Sequence, residues 1–310
     1  MVKRKKGFTL IELLVVVAII ALLISILLPS LSRARELSKR LVCAANVKGL
    51  GTAFKIYAND NEEQWPTPSF SEQAASIIWF NNGTGQTLYN PDVPLASANP
   101  TPGRLVEALN TATKISTTRS FWMLVRTGDV TPKGFICPSS GDTTDPVQNV
   151  DLYYDFDKLT NVSYGYQVPF GPFDSRASEN IDPRLAVAAD KGPHDERPDS
   201  SRLAANFNDF DPFQTNFNMT PNDWKSYNSG NHGGRGTGEG QNVLFGDGHA
   251  SFERTPVVGI DQDNIYTVIN DSASPTGRAS GSVDFTNFNY PGENSLGSLG
   301  DSTTDSLIYP

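Results

Sequence analysis

The three histidines are the first residues to consider for chemistry. His194, His232 and His249 lie in the second half of the chain, and two aspartates, Asp190 and Asp247, lie near them in sequence. Asp190, His232, Asp247 and His249 could together bind a metal ion, because carboxylate and imidazole groups are common metal ligands. In the other interpretation Asp247 forms a turn, His249 lies on a strand and His232 lies in a glycine-rich loop. We favour this second interpretation and expect no metal and no cofactor.

Motifs of common hydrolases and nucleotide-binding proteins are missing from the sequence. Ser229 and His232 are not part of a Gly-x-Ser-x-Gly elbow. The glycine-rich stretch 233–240 lacks the Lys-Ser/Thr pair of a P-loop. The net charge of -9 argues against a nucleic-acid partner, because phosphate binding needs a basic surface. We therefore expect a protein that is not an enzyme and does not bind nucleic acid.

The two cysteines, Cys43 and Cys137, could form one disulfide. Two cysteines are too few for a disulfide scaffold, and their spacing is not that of a zinc site. Cys43 lies on the apolar stripe of a predicted helix, so it could face Cys137 across the core. We favour a disulfide if the domain lies in an oxidising compartment. The alternative is two independent buried thiols.

One carboxylate, Glu12, interrupts a long apolar segment near the N-terminus. The segment runs from Phe8 to Leu28, and its 21 residues include only Thr9, Glu12 and Ser25 as polar positions. At ~1.5 Å per residue, a helix of this length spans the ~30 Å hydrocarbon core of a membrane. A charge at the centre of such a helix costs about 2.5–3.5 kcal/mol, so Glu12 needs a function and a positive partner.

Three interpretations of this segment compete. In the first it is a secretory signal peptide cleaved near Ser30-Leu31-Ser32, although the apolar run exceeds the roughly 7–15 residues that are usual. In the second it is a plain transmembrane anchor, whose direction the flanking basic residues do not settle. Neither of these two interpretations explains a carboxylate at Glu12.

The third interpretation does explain Glu12. The segment from Lys3 to Glu12, KRKKGFTLIE, resembles the processing site of type IV prepilins and of the pseudopilins of type II secretion. The resemblance implies that a prepilin peptidase cuts between Gly7 and Phe8 and methylates the new N-terminus at Phe8. It also implies that Glu12 pairs with the N-terminal amine of a neighbouring subunit in the filament core, where an unpaired charge is costly. Pro29 falls where such proteins commonly kink.

Two further segments resemble large pilin-like proteins of planctomycete-type bacteria. One runs from Cys43 through Tyr57 to Pro66, and the other is the "DGH" segment 247–249 with Asn231-His232 upstream. The resemblance implies a pilin or pseudopilin whose partners are copies of itself, other pilin-like subunits, membrane lipid, prepilin peptidase and an inner-membrane assembly platform. It implies a single-pass protein of the inner membrane with its globular domain on the periplasmic or extracellular side.

The alternative function comes from a different class. A membrane-anchored periplasmic binding protein, or a metal-dependent enzyme using His232, Asp247 and His249, would need the same anchor. Loss of both a bound metal and an activity in His232→Ala and His249→Ala would favour this alternative over a structural subunit.

The sequence patterns predict that the elements which position these residues form an α+β fold. In this fold a long N-terminal helix packs on an antiparallel sheet, with a large loop insertion. Intervals of 4, 3, 4 and 3 indicate an amphipathic helix with the stripe Cys43, Val47, Leu50, Phe54 and Tyr57. Gly49 and Gly51 indicate close packing there. Four strands are predicted at 162–167, 185–189, 242–245 and 249–252, the last two as a hairpin around Gly246-Asp247-Gly248.

The same patterns divide the chain into six segments. We expect a leader peptide (1–7), a transmembrane or filament-core helix (8–29), its amphipathic continuation (30–60), a variable insertion (61–134), a β-rich globular domain (135–269) and a low-complexity tail (270–310).

Overall fold

The computed structural model describes residues 9–67, 118–147, 149–153, 155–156, 159–167, 178–192, 225, 228–233, 237–260, 265–266 and 308–309. Gly7, Phe8 and His194 lie outside these residues, together with the rest of the predicted leader and much of the predicted insertion and tail. The described residues form one long N-terminal helix and one antiparallel sheet. The predicted α+β class is therefore confirmed.

Helix α1 spans Leu10–Asp60, 51 residues without a break. It begins after Thr9, whose side chain accepts a hydrogen bond from the backbone of Glu12 and so satisfies one of the free amides of the first turn. It continues through Pro29 and is capped by Asn61, where the sequence predicted its end. The next residues, Glu62 and Glu63, have φ angles of 54° and 62°, which turn the chain back towards the body.

The second half of α1 packs on the sheet through the predicted stripe. Cys43, Val47, Leu50 and Phe54 are buried, while Tyr57 is half-buried. Gly51 lies in the same contact: a Cβ atom there would be 2.8 Å from Cδ1 of Leu244 on the sheet. A Cβ at Gly49 would meet nothing within 4 Å, so close packing explains only the second of the two glycines.

The sheet has five antiparallel strands in the order β4-β3-β2-β1-β5. The strands are β1 (Tyr164–Gln167), β2 (Ala186–Asp190), β3 (Gln241–Phe245), β4 (Ala250–Glu253) and β5 (Ile308–Tyr309). The first four match the predicted strands, and Gly248 has the positive φ of 86° that the predicted hairpin turn requires. Strand β5 differs from the prediction, because residues 308–309 were assigned to a low-complexity tail and instead extend the sheet beside β1.

The core between α1 and the sheet is rich in aromatic rings. Phe54 stacks on Trp65 at 5.2 Å between centroids and meets Tyr166 of β1 at 5.0 Å. Helix α2 (Thr118–Thr127) adds the buried side chains of Phe121 and Trp122. The ring centroid of Phe121 lies 5.6 Å from that of Tyr166. Residues 118–134 were predicted within the variable insertion (61–134), and helix α2 of this segment is part of the core, because its apolar face covers the aromatic rings.

Short 3-10 helices connect α2 to the sheet. They span Pro132–Phe135, Val150–Leu152 and Leu159–Asn161. Phe135 ends the first of these 3-10 helices, and its ring centroid lies 5.1 Å from that of Phe121.

Strand β2 contains an irregularity that changes which side chains face the helix. Its pairing with β3 shifts register between Ala186 and Ala188. Val187 and Ala188 both belong to the cluster under α1, whereas Ala186 and Ala189 belong to a second apolar cluster with Ile265 and Ile308. A regular strand would alternate strictly, so the extra residue reverses the faces that follow it. As a result the side chain of Asp190 points towards α1.

Candidate functional site

The first half of α1 presents a continuous apolar surface. Every leucine, isoleucine and valine between Leu10 and Leu28 is at least 46% exposed, whereas apolar side chains of a stable soluble domain are mostly covered. Among the residues that the structure describes, this helix alone is long and apolar enough to cross a membrane. A surface of this size must be covered by lipid or by other protein chains.

Glu12 is the one charged residue of this surface. Its carboxylate accepts hydrogen bonds from the backbone N–H and the hydroxyl of Thr9, both at 2.8 Å, and its own N–H donates to the Thr9 hydroxyl at 3.3 Å. This reciprocal capping box holds the negative charge at the N-terminus of the helix, where the helix dipole favours it. The carboxylate is therefore exposed and held close to the residues where the chain is predicted to be cut.

Pro29 lies inside α1 rather than at its end. A proline has no N–H, so the carbonyl of Ser25 loses the donor it would have in a regular helix. Nearby serine hydroxyls donate to backbone carbonyls that precede the proline: Ser25 to Leu22 at 2.8 Å and Ser30 to Leu27 at 2.8 Å. The predicted kink at this proline stays a prediction.

A second group of chemically active residues is buried between α1 and the sheet. Cys43 comes from α1, Cys137 from the segment after the first 3-10 helix, Asp190 from the end of β2 and His232 from the loop before β3. We call these four residues the buried cluster. All four have 0% of their surface exposed, and one potential ligand atom from each lies within 4.8 Å of the others.

The contacts within the buried cluster are close. The Cys43 thiol donates to Oδ1 of Asp190 at 3.0 Å. Nε2 of His232 lies 3.4 Å from Oδ2 of Asp190 and 3.7 Å from Sγ of Cys137. Two sulfurs, one imidazole nitrogen and one carboxylate therefore face a common centre.

A second layer of polar groups orients the buried cluster. Nδ1 of His232 lies 3.0 Å from the carboxylate of Glu36 on α1, and Ser139 donates to both oxygens of that carboxylate at 3.0 and 3.1 Å. On the opposite side the Asn231 amide donates to Oδ1 of Asp190 at 2.9 Å, and the backbone N–H of Asn242 donates to Oδ2 at 2.6 Å. The imidazole ring and the carboxylate are thus fixed in position.

The buried cluster shifts the acidity of its own members. Burial raises the pKa of the Cys43 thiol, and its contacts with Cys137 and Asp190 raise it further. The neighbouring Cys43 thiol lowers the pKa of Cys137 to about 6, against burial and with help from His232. Burial alone would lower the pKa of His232, but hydrogen bonds with Asp190 and Cys137 raise it to about 10. Burial alone would raise the pKa of Asp190, but hydrogen bonds with His232 and Cys43 lower it, so the contacts within the buried cluster favour the ionised carboxylate.

The structure separates the residues that the sequence grouped around a metal. Asp190 and His232 belong to the buried cluster, whereas Asp247 and His249 form an exposed pair at the β3–β4 turn, joined by a hydrogen bond from the His249 backbone at 2.9 Å. His249 stacks on Phe245 at 4.5 Å. The set His232, Asp247 and His249 of the alternative function is thus not brought together, and the turn role expected for Asp247 is what the structure shows.

The cysteines are where the sequence placed them, on facing elements across the core. Both are buried free thiols, and the disulfide between Cys43 and Cys137 stays a prediction. Sequence reasoning did not connect them with Asp190 and His232. Helical periodicity located Cys43, but the signal that links the four residues is the β2 irregularity, which periodicity does not reveal.

Comparison with known proteins agrees with the N-terminal features. A family model described as the prokaryotic N-terminal methylation motif matches residues 2–28. The type IV wide pilus major component PilA4 of Thermus thermophilus is 36% identical over 97 residues, which are 31% of this chain and 68% of the relative. No solved structure matches the chain.

The chain has the α+β layout of pilins. Its long N-terminal helix packs on the sheet over one half and is uncovered and apolar over the other. The chain belongs to the type IV pilin-like family. The further likeness to planctomycete-type proteins with a "DGH" segment stays a prediction.

Proposed function

We propose that the protein is a structural subunit of a filament, either a type IV pilus-like fibre or the pseudopilus of a type II secretion system. The observation that carries this proposal is the uncovered apolar surface of α1 from Leu10 to Leu28, with Glu12 as its one charged group. The PilA4 relative is a major component of a wide pilus, which supports assembly with copies of the same chain.

Processing is the first step of the proposed assembly. A prepilin peptidase cuts between Gly7 and Phe8, removes the basic residues 3–6 and methylates the new amine of Phe8. The methylation motif over residues 2–28 supports this step. The cut places a positive amine four residues before Glu12, at the start of an apolar helix.

Docking is the second step. Glu12 pairs with the amine of Phe8 on a neighbouring subunit, because a carboxylate transferred into an apolar filament core needs a counter-charge. The carboxylate already accepts hydrogen bonds from Thr9 of its own chain, which holds it at the helix terminus for this contact. The apolar side chains around Glu12 become buried when subunits dock. Pro29 determines the shape of α1 where it approaches the globular domain.

The location and partners follow from this assembly. Before assembly α1 spans the inner membrane once, in contact with lipid, and the globular domain lies on the periplasmic or extracellular side. An inner-membrane platform and other pilin-like subunits receive the processed chain. Of the segments proposed from the sequence, the leader (1–7) and the filament-core helix (8–29) carry these functions.

The mass and N-terminal sequence of the protein recovered from cells test the processing step. We expect a chain that starts at a methylated Phe8. A chain that starts after Ser32 would show removal by signal peptidase, and one that keeps Met1 would show a plain anchor; either result contradicts the proposal.

Substitution of Glu12 tests docking. We expect Glu12→Gln to be processed and inserted in the membrane but to lose incorporation into fibres, because the pairing charge is gone. Glu62→Gln is the matched control, since Glu62 is exposed beyond the end of α1 and the change in charge is the same. Measured by sedimentation of sheared fibres, equal incorporation of Glu12→Gln and the wild type would contradict the docking step.

A further inference from the structure

The buried cluster brings four potential metal-ligand atoms together inside the core, where packing alone requires none. A carboxylate, two sulfurs and an imidazole are all withdrawn from water, although burying ionisable groups is unfavourable unless they are paired or bind a metal. Filament assembly through Leu10–Leu28 gives this group no function, because it lies on the other half of α1.

From this geometry we propose that the buried cluster binds one structural Zn²⁺ ion through Cys43, Cys137, Asp190 and His232. Zn–S bonds of about 2.3 Å and Zn–N or Zn–O bonds of about 2.0–2.1 Å place neighbouring ligand atoms of a tetrahedron about 3.3–3.8 Å apart. The observed separations of 3.4 Å between His232 and Asp190 and 3.7 Å between His232 and Cys137 match these edges. The 3.0 Å contact between Cys43 and Asp190 is shorter than these edges, and the four ligand atoms are spread over as much as 4.8 Å, so ion binding requires the side chains to shift.

The donor set selects the class of metal. Thiolate ligands favour Zn²⁺ and similar thiophilic ions, whereas Mg²⁺ and Ca²⁺ take oxygen ligands. Two sulfurs, one nitrogen and one oxygen suit a four-coordinate site. Because all four residues are fully buried, the site is closed, as in structural rather than catalytic zinc sites. The proposed ion therefore supports the fold and not a reaction.

The second layer has the arrangement that zinc ligands require. A ligating histidine donates its other N–H to a carboxylate or carbonyl, which fixes the ring. In this protein Nε2 of His232 faces the cluster while Nδ1 lies 3.0 Å from Glu36, and Ser139 holds that carboxylate in turn. The amide nitrogen of Asn242 lies 3.1 Å from Oδ2 of Asp190 and 3.1 Å from Nε2 of His232, so it has to turn away from the imidazole when an ion binds there. Both ligands are thus oriented before any ion binds.

Ion binding would join elements that are far apart in sequence. Cys43 belongs to α1, while Asp190 and His232 belong to the sheet side and Cys137 to the connection between them. Each thiol that still carries a proton releases it when the sulfur binds the ion. The site would therefore fasten the helix that bears the filament surface to the globular domain.

The experiment uses the full chain in detergent, purified with a reductant and without chelators. We expect one zinc ion per chain by elemental mass spectrometry, and a cobalt-substituted protein with the thiolate charge-transfer bands and intense visible bands of tetrahedral Co²⁺. Chelation should lower the melting temperature, and added Zn²⁺ should restore it.

Two variants locate the ion. Cys137→Ser and His232→Ala should lose the bound zinc and the cobalt bands. His249→Ala is the matched control, because His249 is the exposed histidine of the β3–β4 turn and should leave both unchanged. Equal zinc in His232→Ala and His249→Ala would place the ion elsewhere and overturn the proposal.

The wild type alone also decides the question if a variant fails to fold. Folded, reduced wild-type chain that takes up neither zinc nor cobalt overturns the site. So does protein recovered from cells with a disulfide between Cys43 and Cys137, since a disulfide removes both thiolate ligands. These results leave the proposed filament function untouched, because that function rests on Glu12 and the apolar half of α1.

Discussion

Two ion pairs of this protein differ in burial, so the loss of stability on removing one charge should differ between them. The ammonium of Lys191, the residue directly after β2, lies 3.1 Å from the carboxylate of Asp142, and both side chains are less than a tenth exposed. Asp142 also accepts a hydrogen bond from Ser163 at 2.6 Å. The pair Arg184 and Asp182 lies on the surface, at 2.9 Å with the arginine 71% exposed.

The comparison of these two pairs gives a prediction at the residue scale. Asp142→Asn should destabilise the protein by about 3–5 kcal/mol, because it removes the carboxylate charge 3.1 Å from the buried Lys191 ammonium. Asp182→Asn should cost less than about 1 kcal/mol, because water screens the exposed pair. Denaturant unfolding followed by the fluorescence of the buried Trp65 and Trp122 measures both values. Similar losses for the two variants would contradict the argument.

Part of the buried cluster could be predicted from residue types and their spacing. Asp190 and His232 were among the metal ligands considered from the sequence, and Cys43 was placed on a buried stripe by its spacing. Asp247 and His249 were grouped with them because they are close to His232 in sequence, yet the hairpin carries them to an exposed turn. Cys137 was considered only as a disulfide partner. Contacts between distant segments, such as Cys43 with Asp190, depend on strand faces that composition does not specify.

At the scale of elements, the long helix and four strands followed from periodicity, because α1 and the β3–β4 hairpin have strong local signals. Helix α2 lies in the segment that was assigned to a variable insertion (61–134), although its buried side chains belong to the core. Strand β5 has two residues, too few for a period, and its partner β1 is more than a hundred residues away. The sequence also did not predict the irregularity in β2, because the short run of alanines in this strand is equally apolar on both faces.

The contact between α1 and β3 gives a prediction at this scale. Replacing glycine by alanine inside a helix gains up to about 1 kcal/mol, so Gly49→Ala should raise the melting temperature. Gly51→Ala has the same helical gain, but its Cβ would lie 2.8 Å from Leu244 in the packed core, where overpacking costs about 1–3 kcal/mol. We therefore expect Gly51→Ala to be less stable than Gly49→Ala. Equal melting temperatures by near-ultraviolet circular dichroism would show that α1 and β3 are not in close contact.

Across the whole molecule, α1 belongs to two environments. Its first half has no buried residue, whereas burial begins at Cys43 and polar contacts with the body begin at Glu36. The acidic body keeps the globular part soluble, and the apolar half gives the chain its surface for lipid or for other subunits. The stability of the body should therefore not depend on the segment that holds it in a membrane or filament.

The last prediction tests this division. A chain that begins at Arg33 keeps Glu36, Arg40 and Cys43, so it should be a soluble monomer with the near-ultraviolet spectrum of the folded domain. A chain that begins at Lys48 loses those three residues and Val47, and with them the Glu36–His232 and Cys43–Asp190 contacts, so it should unfold at a much lower temperature. Size-exclusion chromatography and thermal melts of the two chains measure the difference. If the chain from Arg33 aggregated or failed to fold, the apolar half of α1 would be part of the domain, and its exposed surface could not be reserved for assembly.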